Sequence, residues 1–129
     1  MKLACEIVIL DVLPVIRKEL TTRLVDIHKY TKTNVAKMFG ISGTAVSQYI
    51  HGMRGDSSAI EDCPQYNALM KEITLSAERI ASKESTVGDE LCRLCDIVKQ
   101  NGIIEHLHRR DGWRTSVVKC AECPKKDMC

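Results

Sequence analysis

Cysteine is the residue type in this chain with the most chemistry to offer, and its spacing narrows that chemistry. Five of the seven cysteines lie beyond residue 91, and four of those form two Cys-x-x-Cys pairs, Cys92/Cys95 and Cys120/Cys123. A two-residue spacer lets both sulfurs of a pair turn toward one cation, and two such pairs complete a tetrahedral four-thiolate site. On a helix, positions i and i+3 share a face, which suits Cys92 and Cys95. The opening apolar stretch, residues 3–13, is interrupted by Glu6 and Asp11, so it reads as neither signal peptide nor membrane anchor. The chain is therefore expected to be soluble and cytoplasmic, where clustered thiols are metal ligands before they are disulfides.

The default metal for such pairs is zinc. Against it, Cys123 is followed by Pro124, as in ferredoxin-type cluster-binding runs. Cys129 adds a nearby thiolate, and Lys125 and Lys126 can offset the negative charge of a thiolate-ligated cluster. These features favour an iron–sulfur cluster of the four-iron, four-sulfur type, with zinc as the alternative. The expected ligands are Cys92, Cys95, Cys120 and Cys123, with Cys129 and Cys5 as alternates. Cys5 reads otherwise as a small core residue, and Cys63 as a free thiol at a helix start. His106 and His108 could replace a thiolate or sit in a surface turn.

The second constellation lies in residues 32–51 and is built for contact rather than for bond chemistry. Residues 1–55 carry eight Lys/Arg against four acids, whereas the remainder carries eleven against thirteen. No acidic residue occurs between Lys29 and Gly55. A surface that meets phosphates excludes carboxylates in this way, so the first half of the chain is expected to face a polyanion. Within it, Ala36 is small enough to let a second helix approach, and Gly40 tolerates the positive φ of a tight turn. Val35, Phe39, Ile41, Val46 and Tyr49 or Ile50 supply apolar residues around the turn, and Ser42 is placed as an N-cap. The outward positions Gly43, Thr44, Ser47, Gln48 and His51 are small or hydrogen-bonding and uncharged. That pattern predicts two short helices joined by a tight turn, the second lying in a DNA groove.

The elements that must position these residues read as helices throughout. Aromatics are only 4% of the chain and turn formers are few, which argues against a sandwich or barrel. Residues 5–12 are ambiguous between strand and buried helix. Asp11 and Pro14 then look like a helix start, and Leu13, Ile16, Leu20, Leu24 and Ile27 keep helical spacing toward residues 28–31. Short helices follow over 34–39, closed by Gly40, and 43–51, closed by Gly52. Residues 52–58 have the composition of a linker. Beyond Pro64, the positions Tyr66, Leu69, Met70, Ile73, Ala77 and Ile80 form one apolar face, offered either to a second copy of the chain or to the monomer's own core. Thr86 and Asp89 resemble a capping pair, Val87, Leu91, Leu94 and Val98 continue that helix, and Asn101-Gly102 ends it. A short segment with Ile103, Ile104 and Leu107 comes next, and residues 111–129, with Trp113, lack clear periodicity. The expectation is an all-α chain: a helix-turn-helix domain over 1–55, a linker and dimerisation helix over 56–85, and a cysteine-rich metal module over 86–129.

Residues 33–55, Thr-Asn-Val-Ala-Lys-Met-Phe-Gly-Ile-Ser-Gly-Thr-Ala-Val-Ser-Gln-Tyr-Ile-His-Gly-Met-Arg-Gly, resemble the Xre/Cro-type helix-turn-helix of transcriptional repressors. The layout of the chain also resembles a family of small predicted archaeal transcriptional regulators. These open with Cys-Glu-Ile-Val and Leu-Pro-x-Ile-Arg, carry a Val-Ser-Gln-Tyr recognition helix and end in a cysteine-rich module. Here those features fall at residues 5–8, 13–17, 46–49 and 92–129. The resemblance implies that Thr44, Ser47 and Gln48 face base edges, where Gln suits bidentate contact with adenine. Lys37, Ser42 and Arg54 then face phosphates. Gly43 departs from the pattern as a poor helix former at the start of the recognition helix, suited to close backbone approach or to fraying.

The expected function is a homodimeric, sequence-specific transcription regulator of double-stranded DNA, with no membrane and no small-molecule substrate. Its metal site would sense redox or iron/sulfur status, a role open to a cluster and closed to redox-silent zinc; a structural zinc is the alternative. A thiol oxidoreductase would place Cys-x-x-Cys at a strand-to-helix junction, and no βαβ pattern is present. An interaction adaptor, using the hairpin for protein contact, is the remaining alternative. No hydrolase motif occurs, so an enzyme is not expected.

Overall fold

Pro14 shapes the first helical stretch. In the computed structural model, which describes residues 4–110, α1 (Ala4–Ile7) runs through a π-helical turn (Val8–Val12) into α2 (Leu13–Asp26). Proline has no N–H, and its ring crowds the carbonyl four residues back, here that of Leu10. The chain answers with a wider turn, in which the Leu13 N–H reaches Val8 O, five residues away. The stretch left open between strand and helix is thus helical. Asp11 was expected to cap a helix start, but the chain is already helical there, and Val12 at the N-cap of α2 makes no side-chain bond. Ile27, expected on the apolar stripe, lies past the end of α2 and is 60% exposed.

The other helices are α3 (Lys32–Phe39), α4 (Gly43–Ile50), α5 (Tyr66–Ala81), α6 (Val87–Gln100) and α7 (Ile103–Arg110), with a short 3₁₀ turn at Ser57–Ala59. Among the described residues there is no strand, and no helix is long and apolar enough to cross a membrane. α2 lies at the centre, in contact with α3, α4, α5 and α6. Its Val15, Ile16, Leu20 and Leu24 are buried, as periodicity requires of a helix packed on several sides. α6 starts where Thr86 Oγ1 accepts from the Asp89 N–H at 3.2 Å, and Gly102, at φ 94°, lets the chain turn into α7.

A polar clamp joins α5 to α6. Arg93 donates to Glu72 Oε2 (2.6 Å), Ser76 Oγ (2.7 Å) and Glu90 Oε1 (3.1 Å), and Ser85 donates to Glu90 Oε2 (2.8 Å). Glu90 is 4% exposed. Burial on its own would raise the Glu90 pKa. The hydrogen bonds from Ser76, Ser85 and Arg93, with the Arg93 charge, outweigh it and hold the carboxyl below its ordinary value.

One apolar cluster runs from Ile7 to Leu107 and includes residues from all three expected segments. Two expectations change accordingly. Leu69, Ile73, Ala77 and Ile80 are buried within the chain, so this face of α5 is not open to a second copy. Residues 52–58 are a turn-rich connection, as their composition suggests, but one fastened as a strap at Gly55 and Ser57. Gly55 is buried at φ 75°, where an added Cβ would lie 2.6 Å from Pro14 O and 2.7 Å from Lys18 Cβ. Ser57 is buried too, and its hydroxyl donates to Glu61 at 2.6 Å.

Candidate nucleic-acid interface and thiolate pair

The residues expected to form the hairpin do so, each by an identifiable local interaction. Thr31 Oγ1 accepts from the Asn34 N–H at 3.1 Å and starts α3, two residues before the expected boundary. Gly40, at φ 65°, ends it, and its N–H and that of Ile41 return to the Ala36 carbonyl. Ser42 Oγ then accepts from the Ala45 N–H at 3.1 Å and starts α4. Val35, Ala36 and Val46 are buried in the core cluster, Phe39, Ile41 and Ile50 pack against it, and Tyr49 is buried as well.

That packing turns the polar residues of α4 outward. Gly43, Thr44 and His51 are exposed, and Ser47 and Gln48 are half-buried. Gln48 differs from expectation in one respect: its Oε1 is covered and accepts no hydrogen bond, so the two ends of the amide are not presented outward together. Around Gly43 an added Cβ would meet no atom of the chain within 4 Å. The protein's own packing therefore does not require glycine there. Lys29, Lys32, Lys37 and Arg54 are exposed, and no carboxylate intervenes in the sequence between them.

A groove that the sequence did not announce adjoins the hairpin. His28, Lys29, Tyr30, Thr31, Asn34 and Ala81 line an open concavity of about 500 Å³. Lys83, from the turn after α5, holds its ammonium 5.9 Å from the centre of the Tyr30 ring. Lys29 and Lys83 are the two non-glycine residues at positive φ among those described, at 61° and 69°. Each stands just past a helix end, where glycine is the usual occupant. No periodicity or motif marks Lys83, because only the packing of α2 against α5 brings it to Tyr30.

Cys92 and Cys95 stand one turn apart on α6, the first exposed and the second half-buried, neither in a disulfide. Burial pushes the Cys95 thiol up, Cys92 and Asp96 add to this, and Lys99 and Arg17 oppose it. The pair fits one side of a thiolate site. Cys5, on α1, is half-buried, whereas Cys63 is buried and its thiol donates to Gln65 Oε1 at 2.7 Å. His106 Nε2 lies 3.3 Å from Asp62 Oδ1, and His108 is buried. Among the described residues no three His, Cys, Asp or Glu side chains come together as metal ligands. Cys120, Cys123 and Cys129 lie outside the described residues.

No protein-family model, curated protein or solved structure matches the chain.

Proposed function

We propose that this chain is a sequence-specific transcription regulator that reads duplex DNA through the α3–α4 hairpin. The observation that carries the reading is the coincidence of a capped hairpin, an outward face of uncharged hydrogen-bonding residues on α4, and a flanking stretch without acids. An ordinary amphipathic hairpin has no reason to exclude carboxylates over such a length. A surface whose affinity comes mainly from phosphates does. In this reading Thr44, Ser47 and Gln48 meet base edges, and Lys37, Arg54 and the Ser42 hydroxyl proton meet phosphates. His51 borders the same face, and Gly43 lets the backbone of α4 approach the duplex closely.

One such hairpin reads only a few base pairs, so the proposed regulator pairs with a second copy to read two half-sites about one helical turn apart. The pairing surface lies elsewhere than the buried face of α5. Cys92 and Cys95 would hold a metal centre together with Cys120 and Cys123, with Cys129 and Cys5 as alternates. An iron–sulfur cluster is favoured over zinc for the Pro124, Lys125 and Lys126 context, and when bound it supplies a redox-sensitive charge beside the thiolates. An oxidoreductase role is less well supported, because Cys92 and Cys95 sit within α6 and not at a strand-to-helix junction.

The test is a duplex titration of the wild type and of the Lys37→Glu, Arg54→Glu double variant, with circular dichroism confirming the fold. The wild type is expected to bind with affinity falling steeply as salt rises, and the variant to lose binding while staying helical. Equal binding by both would overturn the assignment and leave the hairpin as a protein-contact element. For the metal, anaerobically purified protein is expected to be brown, with iron and acid-labile sulfide. A colourless, zinc-loaded protein would make the site structural.

A further inference from the structure

Resting on the DNA reading above, we propose that the groove between the start of α3 and the turn after α5 binds a backbone phosphate of the same duplex, with Lys83 and Lys29 as its cations. α3 has eight residues and is therefore about 12 Å long. A major groove is about 12 Å wide. With α4 lying in that groove, a helix of this length carries the far end of the hairpin to the level of the flanking strand. The concavity opens at that end.

Its chemistry suits a phosphodiester. His28, Lys29, Tyr30, Thr31 and Asn34 line it and no carboxylate does, although Asp26 and Glu84 are near in sequence. The Asn34 N–H at the helix end is already taken by Thr31 Oγ1, and side-chain cations add to what the remaining N–H groups of the first turn offer. Lys83 is not itself a lining residue, but its ammonium lies 5.9 Å from the centre of the ring of Tyr30, which is one, and its protons remain free to donate. Lys29 Nζ donates to Asp26 O at 2.8 Å and retains donors for a second partner.

The competing account is structural: both lysines follow helix ends and neutralise the negative pole there. Lys83→Gly separates the two. Glycine relieves the positive φ and keeps the turn, but removes the cation. Full-length wild type, Lys83→Gly and the Lys37→Glu, Arg54→Glu variant are titrated with a mixed-sequence duplex at several salt concentrations, alongside urea unfolding. If the groove holds a phosphate, Lys83→Gly binds about fivefold more weakly, its log–log salt slope falls by about one unit, and its unfolding midpoint is unchanged or raised. Wild-type affinity and slope in Lys83→Gly, with binding lost in the double variant, would overturn the groove and leave the hairpin reading intact. Absence of duplex binding in the wild type would overturn both.

Discussion

At the scale of single residues, Gly43 separates the needs of the fold from those of the proposed binding. It is the first residue of α4, its backbone is helical, and no neighbour crowds the space a side chain would take. Alanine there should stabilise the helix by a few tenths to about 1 kcal/mol, because glycine has more backbone entropy to lose. The same methyl group would stand between α4 and a duplex. Gly43→Ala is therefore expected to raise the urea midpoint and to weaken DNA binding, whereas a purely structural α4 would show only the first effect. Gln48 makes the complementary case. Under the proposed reading its covered Oε1 would have to rotate outward to meet adenine, and Gln48→Ala is expected to relax preference at one base by about 1–3 kcal/mol without altering the salt slope.

At the scale of elements, the α5–α6 clamp ties stability to pH. Glu90 has its pKa lowered in the fold by its hydrogen-bond donors and Arg93, against the opposing effect of burial. A carboxyl depressed in the folded state stabilises the protein above its unfolded pKa, and that contribution is lost as pH falls through the folded value. Acidification below the ordinary glutamate range should thus loosen the α5–α6 contact. Glu90→Gln keeps the size but not the charge, and leaves Arg93 with one carboxylate partner, Glu72. The variant is expected to be less stable near neutrality by about 1–3 kcal/mol, with a shallower decline of the urea midpoint on acidification. An unchanged pH profile would show that the clamp adds nothing.

At the scale of the whole molecule, the strap at residues 52–58 makes one body of the hairpin and the helices that follow. Gly55 lies against Pro14 and Lys18 on α2, and Ile60 inserts into the core just beyond it. Gly55→Ala would meet both a positive φ and a contact under 3 Å with backbone, and is expected to cost about 2–4 kcal/mol. Because the cluster from Ile7 to Leu107 is continuous, the loss should appear as one unfolding transition and not as release of a separate domain. Two transitions, one retaining the signal of α5 and α6, would show that the halves fold independently.

Local rules of the sequence were enough to determine most helices, most of their boundaries and the hairpin, though not whether residues 5–12 are strand or helix. Ser42 and Thr86 cap because their side-chain oxygens reach an N–H three residues on, and Gly40 ends α3 because it tolerates positive φ; none of these needs a distant partner, and Thr31 caps α3 by the same rule, two residues ahead of the expected start. The spacing of Leu69, Ile73, Ala77 and Ile80 likewise showed that this face of α5 must be buried. It did not show against what, since an apolar stripe is the same whether it meets its own chain or another. Only tertiary packing decided that, by setting α5 on α2. The same packing turned the apparent linker into a strap and brought Lys83 to Tyr30 across residues 31–82. Charge and periodicity are properties of neighbours in sequence, whereas a groove belongs to elements that meet only once the core has formed.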